Sequence, residues 1–66
     1  MRKIMGKMYL TDKEASERYG YSQSWFRRAR ISNTGPKFIQ LMPLGRVLYA
    51  LEETDEWFKQ KLRENE

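Results

Sequence analysis

Tyr19-Gly20-Tyr21-Ser22-Gln23-Ser24-Trp25-Phe26-Arg27-Arg28-Ala29-Arg30 is the stretch whose reading decides the fold. Gly20 supplies the left-handed residue that ends one helix, because it lacks the Cβ that makes this conformation costly. Ser22 is a good N-cap for the next, since its hydroxyl can accept from a free backbone N–H at the helix start. Only Gly20-Tyr21 is left between them, and two short helices joined by a tight Gly-containing turn form a helix-turn-helix. On a wheel of 100° per residue, Ser22, Phe26 and Ala29 cluster on one side of a helix running from about Gln23 to Arg30. Ser24, Arg27 and Arg28 point the other way, with Gln23 and Trp25 on the flanks.

Upstream, Thr11 and Glu14 have the spacing of a capping box, and Leu10 is placed to staple against Ala15. A first helix therefore runs from Thr11 to Gly20. Met1 to Met8 shows no periodicity and reads as a flexible basic arm over 1–8, leaving 9–63 as the domain. Downstream, Ser32-Asn33-Thr34-Gly35-Pro36 is dense in turn formers and ends the helical region. Lys37–Leu41 and Arg46–Ala50 read as two strands around Met42-Pro43-Leu44-Gly45, and alternation puts Ile39, Leu41, Val47 and Tyr49 on the face toward the helices. A closing helix from about Leu51 to Arg63 buries Leu51, Phe58 and Leu62, with Trp57 at the edge of the stripe. The sum is an α+β domain, a small winged helix-turn-helix of three helices with a two-stranded β-hairpin wing.

Composition limits what such a domain does. Sixty-six residues approach the lower limit for a core unaided by cross-links, and neither Cys nor His is present to supply disulfides or zinc ligands. Lys and Arg exceed Asp and Glu by 13 to 9, but the distribution says more than the net +4. From Arg18 to Leu51 there is no acidic residue, while Arg18, Arg27, Arg28, Arg30, Lys37 and Arg46 all fall there. A middle third of single sign suits a polyanion. Glu52, Glu53, Asp55 and Glu56 raise the question of metal or acid–base chemistry, but their place in the first turns of one helix is explained by dipole compensation. The chain is therefore not expected to be an enzyme, to hold a cofactor, or to take a small-molecule substrate. No apolar stretch is long enough to span a membrane, and a reducing cytoplasm is the plain expectation.

Several short runs, taken in order, resemble a known family. They are Tyr9-Leu10-Thr11 with Glu14-Ala15, Tyr19-Gly20-Tyr21-Ser22, and Ser24-Trp25-Phe26-Arg27-Arg28. Gly35-Pro36-Lys37-Phe38-Ile39, Gly45-Arg46-Val47, Tyr49 and Asp55-Glu56-Trp57-Phe58 complete them. The chain resembles the MerR-type winged helix-turn-helix domains of phage excisionases and AlpA-type prophage regulators. That resemblance implies a second helix in the major groove and a hairpin wing along the backbone toward the minor groove. It implies DNA contacts by Gln23, Ser24, Arg27 and Arg28, and by Lys37 and Arg46 at phosphates; Trp25 divides between a DNA contact and packing beside the first helix. The partner is then double-stranded DNA in the cytoplasm of a bacterium or phage host, bound either to assist an integrase in excision or to occupy a promoter. The sequence departs from the family at the wing. Met42-Pro43-Leu44-Gly45 is more apolar than the usual basic tip, and Leu48 stands at an outward strand position. Leu44 and Leu48 are accordingly candidate protein contacts, toward an integrase or a neighbouring protomer, and a protein-interaction module is the rival reading.

Overall fold

In the computed structural model, which describes residues 1–40, 42–43 and 45–64, α1 (Asp12–Tyr19) and α2 (Gln23–Ser32) form where their caps dictate. The Glu14 amide donates to Thr11 Oγ1 at 3.2 Å and the Thr11 amide to Glu14 Oε1 at 3.0 Å, so two orphan donors are satisfied reciprocally. Gly20 ends α1 at φ 79°, its N–H donating to the Ser16 carbonyl. Ser22 Oγ then accepts from the Trp25 amide at 3.0 Å and opens α2. Asn33 stops it at φ 57°, a left-handed conformation that Asn tolerates better than most residues.

The remaining elements are β1 (Arg2–Ile4), β2 (Lys7–Leu10), β3 (Ile39–Gln40), β4 (Val47–Ala50) and α3 (Leu51–Glu64). The strands form one antiparallel sheet in the order β1-β2-β4-β3. Tyr9 pairs with Ala50 and Leu10 with Tyr49, so the start of the domain is tied to its far side. The core lies between this sheet and the helices: Leu10, Ala15, Phe26, Tyr49 and Phe58 are buried together, with Tyr19, Trp25, Val47, Leu51 and Trp57 packed against them. Leu10 and Ala15, the expected staple, are both inside it. Gly35 follows α2 at a close approach, where an added Cβ would stand 2.7 Å from Ala29 Cβ. That contact requires glycine, and Pro36 after it is buried.

Five expectations need correction. Residues 1–8 are not a loose arm, because 2–10 form a hairpin. Met5 and Gly6 make its two-residue turn with φ of 50° and 84°, both positive as a tight twisted hairpin requires. The β3–β4 hairpin is accordingly not an isolated two-stranded wing, since the second edge of β4 is occupied by β2. Leu48 does not face solvent: it is 2% exposed, although the pleat puts it on the opposite face from equally buried Tyr49. Its burial removes it as a candidate protein contact. Ile39 pairs with Leu48 and Gln40 with Val47, so Ile39 shares the face of Leu48, not that of Val47 and Tyr49. In α3 the inward positions are Thr54 and Phe58, whereas Leu62 is 65% exposed because α3 runs past the end of the core there. Leu41 and Leu44, named above for the strand face and the protein contact, lie outside the described residues.

Candidate nucleic-acid interface

The two faces of α2 differ in kind. Inward, Phe26 and Ala29 are buried, and Phe26 meets Tyr49 edge-on at a ring separation of 5.3 Å. Trp25 joins this side: half-buried, it stacks on Tyr21 at 4.5 Å and stands edge-on to Phe26 at 5.0 Å and to Trp57 at 6.4 Å. The packing role expected of Trp25 is thus observed, at the junction of α2 and α3.

Outward lie Ser24, Arg27, Arg28 and Ile31, all exposed. Spacings of three and four residues place these four as neighbours on one stripe. Gln23 is exposed at the first helical position, beside the stripe. Arg27 and Arg28 enter none of the ion pairs among the described residues. α2 itself carries no carboxylate to neutralise them.

The other two arginines of this region are engaged within the fold. Arg18 donates from Nε and Nη2 to the two carboxylate oxygens of Asp55 at 2.9 and 2.8 Å, and the Tyr19 hydroxyl donates to the same carboxylate at 2.5 Å. The Arg18 guanidinium holds the Asp55 carboxyl below its ordinary value, against the opposing effect of partial desolvation. This cluster fastens the end of α1 to α3. Arg30 Nη1 donates to Asp12 Oδ1 and to the Tyr49 hydroxyl, each at 2.6 Å, joining the end of α2 to the start of α1 and to β4. Burial, partly countered by the Arg30 hydrogen bond, pushes the Tyr49 phenol up to about 12. Arg18 and Arg30 therefore hold helices in place.

Lys37 and Arg46 are both exposed. Lys37 lines a shallow groove with Glu53, Glu56, Trp57 and Gln60, on the acidic side of α3. A phosphate approaching there would also meet two carboxylates. Arg46 stands one residue before β4, next to the turn that the Gln40 side-chain amide braces by donating to the carbonyls of Pro43 and Gly45.

Ile31 is the stripe residue that the sequence reading passed over. Its signal was available, since continuing the same wheel past Arg30 puts Ile31 between Arg27 and Ser24, opposite the Phe26–Ala29 side. Among the described residues no helix is long and apolar enough to cross a membrane. Compared with known protein families, curated proteins and solved structures, the chain matches none.

Proposed function

We propose that the protein binds double-stranded DNA by laying the outer face of α2 in the major groove. The observation that carries this reading is the contrast among the four arginines of α1 and α2, which stand in one acid-free segment. Two are consumed by carboxylates of other elements, and two are left together on the outer face of the second helix of a helix-turn-helix. A guanidinium so placed offers paired donors matching guanine O6 and N7. Ser24 and Gln23, at the start of the helix, reach base edges or phosphates. Arg46 contacts the backbone from the base of the β3–β4 hairpin, which serves as the wing.

Within this reading we favour a role as an excisionase, binding and bending attachment-site DNA so that an integrase runs in the excisive direction. The family resemblance supports that choice, with promoter control of the AlpA type as the alternative. One short helix reads only a few base pairs, so useful selectivity calls for adjacent copies on tandem sites or for an integrase beside it. The apolar tip residue Met42, exposed four residues before Arg46, supports such a contact.

The test is selection from a random duplex pool, followed by titration of the enriched duplex and of its separated strands. A defined motif bound as duplex and not as single strands is expected, with affinity falling steeply as salt rises. Equal binding to single strands, or no enrichment at all, would overturn the reading. An excision assay with an integrase, set against a promoter reporter, then separates the two cellular roles.

A further inference from the structure

We propose that Ile31 reads a thymine, packing its side chain on the C5-methyl group in the major groove between the bases contacted by Arg27 and Arg28. The inference rests on the duplex-binding reading above and specifies the chemistry of that surface. Ile31 is 78% exposed, yet it occupies the middle of the α2 stripe, with Arg27 four residues before it, Arg28 three and Ser24 seven. An apolar side chain exposed alone needs no ligand to explain it. Here, however, it is flanked by the two free arginines of the outer face, so whatever surface they meet Ile31 meets too.

In the major groove every base edge presents hydrogen-bonding groups, and thymine adds one apolar mark, its methyl. The guanidinium groups of Arg27 and Arg28 and the hydroxyl of Ser24 serve the polar marks. Ile31 is the apolar member of the set. Trp25, the other apolar side chain in this part of α2 able to meet a methyl, is held in the aromatic junction with Tyr21, Phe26 and Trp57. Branching at Cβ suits the task. In a helix it leaves isoleucine essentially one χ1 rotamer, so the methyl groups are presented at a fixed place with little side-chain entropy left to lose.

Replacing thymine by uracil deletes this methyl and leaves every hydrogen-bonding group of the base pair in place, which makes it the probe. In the duplex enriched from the random pool, each thymine is replaced by uracil in turn. Affinity is then measured for the wild type, Ile31→Ala and Ile31→Val. One position is expected to lower wild-type affinity about fourfold, the value of one methyl withdrawn from water. At that position Ile31→Ala shows no further loss, and Ile31→Val, which keeps the branch, shows part of it. Since Ile31 is outside the core, the Ala variant should melt with the wild type, and a melt by circular dichroism checks this. A wild type indifferent to every uracil, or an Ile31→Ala protein that keeps the full penalty, overturns the assignment and leaves duplex binding standing. Failure to enrich any duplex overturns both.

Discussion

Arg27 and Arg28 differ from Arg18 and Arg30 only in what the fold brings to them. All four stand in one acid-free stretch, and a count of charge treats them alike. Asp55 arrives from α3 to meet Arg18 with paired hydrogen bonds, and Asp12 arrives from α1 to meet Arg30, whereas no carboxylate among the described residues reaches Arg27 or Arg28. The lesson concerns how a small basic protein divides its cations. Those that meet a distant acid become structural ties, and those left over on one helical face define the surface offered to a ligand.

The division can be broken most drastically from the inner face. Phe26→Ala should remove about 3–5 kcal/mol, comparable with the whole stability of a core this small, and leave no cooperative transition in a thermal or urea melt. A cooperative melt near the wild-type midpoint would show that the inner face of α2 does not hold the domain together. On the outer face the expected effects move from folding to binding. Arg27→Ala and Arg28→Ala should each leave stability within about 0.5 kcal/mol of wild type. At least one should relax preference at a defined base pair, at a cost of about 1–3 kcal/mol there. Equal losses on all sequences would instead make both arginines phosphate contacts.

Arg30→Ala sharpens the contrast within a single residue type. It leaves Asp12 and the Tyr49 hydroxyl without their donor and should cost on the order of 1 kcal/mol of stability. The salt dependence of DNA affinity should stay unchanged wherever the variant is folded. Acid and alkali probe the same ties. Asp55 is held below its ordinary 3.8, so its contribution is present above about pH 4 and lost as pH falls through the lowered folded value. Tyr49 is raised from its ordinary 10 to about 12, so its contribution is complete below pH 10 and lost between there and pH 12. Urea midpoints against pH should show both limbs. Asp55→Asn should flatten the first and Tyr49→Phe should reduce the second, the remainder coming from Tyr19, whose phenol is also raised by burial. The smallest change is expected at Lys37, which shares its groove with Glu53 and Glu56. Lys37→Ala should lower the salt slope by well under the value of about one that a phosphate contact contributes. A full unit would place the lysine on the backbone after all.

The helical half was legible in the sequence because its signals are local. Thr11 with Glu14, Gly20, Ser22 and the Phe26–Ala29 phase each act within a few residues of where they stand, and the α2 stripe follows from the same phase. The sheet was harder because strand pairing is not local. Met5 is not a turn former, so a two-residue turn at Met5-Gly6 carried only half of its usual mark, and the hairpin of 2–10 went unread. Once β2 occupies the second edge of β4, burial of Leu48 ceases to obey the alternation of a free wing. The register of Ile39 against Leu48 also depends on a turn whose length the sequence leaves open. Among the site residues, the placement of Lys37 beside α3 required knowing where α3 packs.

The pairing of Leu10 with Tyr49 carries a kinetic meaning. These residues are roughly forty positions apart, and the whole of α1, the turn and α2 is contained in the loop they close. Local contacts can assemble the helix pair early, but the β2–β4 seam must wait until that long loop has lost its freedom. Weakening the seam should therefore speed unfolding more than it slows folding, whereas weakening the packing of α1 on α2 should slow folding. The helix proposed to read DNA would then be the first part of the chain to take shape, with the sheet closing last behind it.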